Sequence, residues 1–146
     1  MNIALIANDK KKELLAEFCT AYCGVFSKHN LCATAGTARI VSEATGLEIE
    51  KLLPGQSGGN EQIASRISFD EIDMLIYFRD GEEKPSEEER IETELIRVCD
   101  LHSVLLATNI AVAEILVRAI EGGDLDYYND YRQKKEIKLA VNGRKE

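Results

Sequence analysis

The chain has 146 residues, 45% of them hydrophobic, and its 26 acidic against 18 basic side chains give a net charge of −8. That length suits one ordinary core and is short for two, so a single domain over residues 1–146, with a polar tail from about residue 124, is expected. The acids crowd between Glu82 and Glu94 while the bases are scattered, an arrangement that offers no basic face to a nucleic acid or an anionic membrane. Apolar runs such as Ile3 to Ala7 and Ser103 to Ala107 are strand-sized, far below the ~20 residues of a membrane span. Met1 leads straight into such a run rather than into a signal-peptide pattern, so the cytosol is the expected location.

In chain order, Asn2 to Ala7 is a nearly continuous apolar run, as befits a strand covered on both faces of a parallel sheet. Asp9-Lys10-Lys11-Lys12 follows, then Leu14, Leu15, Phe18, Cys19, Tyr22 and Phe26 at helical spacing. The unit recurs with a strand over Asn30 to Thr34, a small-residue turn at Ala35-Gly36, and a helix from about Thr37 to Thr45 that Gly46 ends. Glu48 to Leu53 reads as a third, shorter strand. The turn Pro54-Gly55-Gln56-Ser57-Gly58-Gly59 follows it and leads into a helix over about Asn60 to Phe69. Ile72 to Phe78 is the clearest central strand, rich in branched and aromatic residues. Ser86-Glu87-Glu88-Glu89 fits a capping box for a helix running to about Leu101. Ser103 to Ala107 is the last strand, and Thr108-Asn109 caps a helix over Ile110 to Ile120, stopped by Gly122-Gly123. Strands alternating with helices at this pitch predict an α/β fold with a doubly wound, mostly parallel sheet.

The cysteines at 19, 23, 32 and 99 form no CxxC pair, and His29 and His102 sit in no ligand spacing, so neither a metal nor another cofactor is expected. Ligands of open parallel sheets bind beyond the carboxyl ends of the strands. Those ends carry Asn8-Asp9, Thr34 to Thr37, Gly55 to Asn60, Arg79-Asp80 and Thr108-Asn109. At Thr34-Ala35-Gly36-Thr37, free backbone amides, two hydroxyls and a helix N-terminus converge in the way a phosphate requires. The bare amides of Gly55, Gly58 and Gly59 offer a second anion cradle, and Lys12 adds a compact positive charge. Any one of these turns alone is more often a simple connection; their common placement on one rim points to a phosphorylated ligand.

These residues resemble the methylglyoxal synthase family. The family shares a first strand that ends in a polar pair with aspartate second and lysine three residues on, as Asn8-Asp9 and Lys12 do. It also shares an alanine-preceded threonine-glycine turn, as in Ala33-Thr34-Ala35-Gly36-Thr37, and an Ala-Thr-Gly after the next helix, here Ala44-Thr45-Gly46. Its paired-glycine turn is matched by Leu53 to Gly59 followed by Asn60-Glu61-Gln62-Ile63, its central strand by Ile72 to Asp80, and its last strand by Ala107-Thr108-Asn109. The likeness runs in order from about Met1 to Leu116. It implies a flavodoxin-like three-layer α/β/α sandwich, a homohexamer, and conversion of dihydroxyacetone phosphate into methylglyoxal and phosphate. It further implies that Lys12, Thr34, Thr37 and the Gly55 backbone hold the phosphate, that Asp9 and Arg97 join an intersubunit ion-pair network, and that Asp80 lines the reaction centre.

The chain departs from the family pattern where the chemistry is done. The principal catalytic aspartate after the paired glycines is Asn60, whose amide nitrogen has no lone pair with which to take a proton. Asn8 replaces a histidine, Pro54 a phosphate-binding serine and Gly36 a threonine, and the stretch Ser86 to Glu88 lacks the family's carbonyl-polarising histidine. Two readings follow. In one the chain is a lyase of the synthase type whose base is another carboxylate, Asp80 first and Asp9 next. In the other it binds inorganic phosphate or a phosphorylated metabolite without turnover, like the effector-binding domains of this fold attached to carbamoyl phosphate synthetase, which the stretch Thr34 to Arg39 also resembles. The acidic loop Gly81 to Glu94 reads as a solvated face before a docking surface, and Tyr127, Tyr128 and Tyr131 as cover for the domain's own edge before a neighbour's.

Overall fold

The computed structural model describes residues 1–82 and 89–128. Five strands form one sheet: β1 (Asn2–Ala7), β2 (Asn30–Ala33), β3 (Glu50–Lys51), β4 (Met74–Phe78) and β5 (Leu105–Ala107). Their order is β3-β2-β1-β4-β5, and every neighbouring pair runs parallel. The intervening helices are α1 (Lys12–Ala21), the single turn α2 (Cys23–Phe26), α3 (Ala35–Thr45), α4 (Gly59–Ser68), α5 (Glu89–Leu101) and α6 (Ile110–Glu121).

Strand alternation divides the core into two layers. Ile3, Leu5 and Ala7 of β1 point to one face, where they pack with Leu15 and Phe18 of α1, Val41 of α3 and Val117 of α6. Ala4 and Ile6 point to the other face, toward Ile63 and Ile67 of α4 and Leu95 and Val98 of α5. β1 and β4 are buried along nearly their whole length, which is why both read as unbroken apolar runs. The result is the expected flavodoxin-like α/β/α sandwich, with every strand pairing parallel.

Several elements differ from the sequence expectation at their ends. The helix through Phe18 and Phe26 is broken at Tyr22, whose backbone (φ −110°, ψ 25°) leaves the helical region. The Tyr22 ring packs 5.1 Å from that of Phe18, and its hydroxyl donates to Glu114 and accepts from Arg118 of α6. The third strand shrinks to Glu50–Lys51, because only Cys32 and Ala33 of β2 pair with it. The last strand begins at Leu105 rather than Ser103, since Ser103 sits in the left-handed region (φ 53°) that closes α5. At α6 the sequence cap holds: Asn109 Oδ1 accepts from the amide of Val112 at 3.1 Å. The capping-box residues Ser86 to Glu88 and the tail beyond Tyr128 lie outside the described residues.

Strand order reverses between β1 and β4, which puts a crevice beyond Ala7 and Phe78, partners in the sheet. The amide of Asn8 donates to the Phe78 carbonyl at 3.0 Å and continues the pairing past both strand ends. Among the described residues, no helix is long and apolar enough to cross a membrane.

Candidate functional site

The crevice opens into a cavity of about 510 Å³ at the carboxyl ends of the strands. Asn8 and Asp9 reach it from beyond β1, Lys12 from the start of α1, Thr34 and Gly36 from the start of α3, Gly55 from the turn before α4, Asn60 from the first turn of α4, and Asp80 from beyond β4. Residues separated by as many as 72 positions thereby share one wall. Thr37, Gly58, Gly59 and Arg97 do not line it.

Lys12 lines the cavity together with Lys10; Lys12 is the one that reaches toward α3. Its stem lies against Gly36, where an added β-carbon would stand 3.1 Å from Cε. A bare α-carbon at position 36 is therefore what lets the ammonium reach the start of α3. The same ammonium pairs with Asp9, whose side chain is almost fully exposed. Thr34 is the N-cap of α3, yet its side chain makes no capping bond to the helix amides. Its hydroxyl instead points to Thr37 Oγ1 at 3.4 Å. Thr37 is wholly buried and accepts from the Ala7 amide at 3.3 Å, so it ties α3 to β1 behind the cavity wall.

The turn before α4 is shaped by its glycines. Gly58 adopts φ 103°, which favours glycine. A β-carbon on Gly59 would overlap the Leu53 carbonyl oxygen and stand 2.9 Å from that of Pro54. The pair thus builds the loop that delivers Asn60, rather than forming cavity surface itself. Asn60 lies against Gly55, and its Oδ1 is buried with no hydrogen-bond partner among the described residues.

Beyond β4, Asp80 has only 9% of its side chain exposed, stands 4.0 Å from the Lys10 ammonium and accepts from the Glu82 amide at 3.1 Å. Its own amide donates to Asn8 Oδ1 at 2.8 Å. Sequence reasoning passed over Tyr77, which also lines the cavity. Its hydroxyl donates to Glu92 of α5 at 2.8 Å, and the other oxygen of Glu92 accepts from Arg79 at 3.1 Å. Burial, reinforced by the hydrogen bond to Glu92, pushes the Tyr77 phenol well above its ordinary range and keeps it protonated. The signal available was a phenol in an otherwise apolar strand, since a buried tyrosine needs a partner for its hydroxyl. Gln56, Ser57 and Pro54 line the cavity as well.

Arg97 lies apart on α5, paired at the surface with Glu94 at 2.6 Å. Among the described residues, no cluster of three or more His, Cys, Asp or Glu side chains could hold a metal ion.

Residues 15–108 match the family model described as the MGS-like domain. A methylglyoxal synthase of Caldicellulosiruptor saccharolyticus is 50% identical over 127 residues, covering 87% of this chain and 89% of that protein. One from Thermoanaerobacter sp. is 49% identical over 127 residues, covering 87% of this chain and 96% of that protein. Among solved structures, the crystal structure of methylglyoxal synthase from Elizabethkingia anophelis NUHP1 superposes with a TM-score of 0.71 at 30% identity, over 80% of this chain and 76% of that one. With its parallel sheet, its paired-glycine turn and about half of 127 aligned residues in common with named relatives, the chain belongs to the methylglyoxal synthase family.

Proposed function

We propose that the cavity docks a triose phosphate of the dihydroxyacetone phosphate class, and that the chain converts it to methylglyoxal and inorganic phosphate only slowly. The observation that carries this reading is the union of Lys12, Thr34, Gly36, Gly55, Asn60 and Asp80 around one cavity at the strand ends. The phosphoryl group would sit among the Lys12 ammonium, the first turn of α3 and the turn at Gly55. The carbonyl end would then face Asn8, Asn60 and Asp80.

Turnover needs a carboxylate to take the proton beside the carbonyl, a donor to hold the developing enediolate, and departure of the phosphate with the C–O bond electrons. Asn60 cannot be that base. Asp80 is the better-placed of the two remaining carboxylates, because it is nearly buried at the cavity, whereas Asp9 is exposed and held by Lys12. A donor is present in the side-chain amide of Asn8, which lines the cavity. The Asp80 oxygens already face Lys10 and the Glu82 amide, so the carboxylate is engaged before a substrate arrives, which is the reason for expecting slow turnover.

A second reading, that the chain binds phosphate or a phosphometabolite and does no chemistry, is favoured by Asn60 itself. Methylglyoxal formation from dihydroxyacetone phosphate by the purified protein separates the two. Slow release that disappears in Asp80→Asn supports the first, and none at high enzyme concentration supports the second. Under either reading phosphate raises the melting temperature with the logarithm of its concentration, and no shift at tens of millimolar phosphate overturns both. The proposal includes a cytoplasmic homohexamer; exposed Ile110 and Ile115 on α6 are the kind of surface a neighbouring subunit covers. A monomer by light scattering at micromolar concentration overturns that part.

A further inference from the structure

Asn8 ends in an amide whose two faces are chemically distinct, and the surrounding bonds decide which one meets a ligand. The backbone N–H of Asp80 is a donor, so the atom it reaches at 2.8 Å must be Asn8 Oδ1. On the other side stands the Tyr77 hydroxyl, 3.5 Å from Asn8 Nδ2. That hydroxyl has already committed its proton to Glu92, at 2.8 Å. It can therefore offer Asn8 only a lone pair, and it repels an amide oxygen placed there. Glu92 is in turn unable to rotate away freely, because Arg79 holds its second oxygen at 3.1 Å. Proton direction is thus fixed link by link, from Arg79 to Glu92, from Tyr77 to Glu92, and from Asn8 to Tyr77.

We infer that Tyr77, acting through Asn8 and anchored by Glu92, is a positioning residue that sets the ligand preference of the cavity: it turns one Asn8 N–H into the cavity as a donor for a carbonyl oxygen. Asn8 has two amide hydrogens. One faces the Tyr77 hydroxyl, and the other has no partner among the described residues, while Asn8 itself lines the cavity. Such a donor recognises an oxygen on the carbon skeleton of the ligand and contributes nothing to recognition of the phosphoryl group, which the Lys12 side serves. The inference rests on the triose-phosphate reading above and adds the residue that distinguishes a carbonyl-bearing phosphate ester from phosphate alone.

The test compares two probes, inorganic phosphate and dihydroxyacetone phosphate, titrated calorimetrically into the wild type, Tyr77→Phe, Glu92→Gln and Glu92→Ala. Tyr77→Phe retains the packed ring. It should leave the phosphate affinity within about twofold of wild type and weaken the dihydroxyacetone phosphate affinity roughly tenfold, the order of one misaligned hydrogen bond. Glu92→Gln, whose single amide oxygen cannot accept from both the phenol and Arg79, should lose part of the preference, and Glu92→Ala should behave like Tyr77→Phe. Equal losses for both probes, or an unchanged ratio in Tyr77→Phe, would refute the positioning role while leaving the docking site intact. Absence of phosphate binding in the wild type would instead remove the docking site, and this inference with it.

Discussion

The side chain of Lys12 lies across Gly36, in the space that any larger residue at 36 would occupy, since an added β-carbon would come within 3.1 Å of Lys12 Cε. Gly36 is in the first turn of α3 with an ordinary helical backbone, so alanine there improves helix propensity while it displaces the ammonium. Gly36→Ala should therefore raise stability by up to ~1 kcal/mol and weaken phosphate binding several-fold. Melting temperature and phosphate titration on the same sample check the opposite signs; tighter phosphate binding in the variant would separate Lys12 from the site.

Gly59 tolerates no side chain, because a β-carbon there would collide with the carbonyls of Leu53 and Pro54. Gly59→Ala should destabilise by about 3 kcal/mol or more, since backbone on both sides must move. Gly58→Ala, with only its positive φ to oppose it, should cost about 1–2 kcal/mol. Urea midpoints at constant slope measure both, and a Gly59→Ala variant as stable as wild type would mean the turn is looser than described.

Asn60→Asp restores a carboxylate at the start of α4, where the helix N-terminus favours an anion. One of its oxygens would occupy the buried site that no donor now satisfies, beside Gly55, and would put a proton acceptor where the amide offers none to carbon-bound hydrogen. Methylglyoxal formation should rise at least about tenfold over wild type, within the range a positioned general base supplies. An unchanged or lower rate would mean that the missing histidine, rather than residue 60, limits the chemistry.

Burial pushes the thiols of Cys19 and Cys99 up to about 12 and that of Cys32 up to about 11, against an ordinary value of 9.0. The unfolded chain loses these protons first, so the stability the protonated thiols confer is complete below pH 9 and declines as pH rises toward 11–12. Each thiol should contribute a slope of about 1.4 kcal/mol per pH unit within that window. Half-buried Cys23 should be the fast-reacting thiol toward a disulfide reagent at pH 8, with Cys19, Cys32 and Cys99 following only on unfolding. Rapid reaction of all of them in the native protein would contradict the burial.

The sequence carried the sheet because β1 and β4 are buried on both faces, and such strands can be written only in apolar residues. It carried the rim of the cavity because glycines and threonines cluster where strands give way to helices. Direction within the rim was not legible. Thr37 and Thr34 are three positions apart and alike in composition, yet one hydroxyl is locked to the Ala7 amide behind the wall while Thr34 lines the cavity. Gly58 and Gly59 look like an anion cradle until the carbonyls of Leu53 and Pro54 are seen to crowd the second of them. Tyr77 was invisible for the opposite reason: in a run of core residues its phenol becomes informative only once Glu92, fifteen positions later, is known to face it.

The crowding at Gly59 has a consequence for how such a protein can change over generations. Because the backbone before residue 60 is held by its own carbonyls, the seat offered to that side chain is the same whether an amide or an acid occupies it. Asparagine and aspartate codons differ in a single base, so a carboxylate at this position lies one mutation away, with no loop to rebuild on the way.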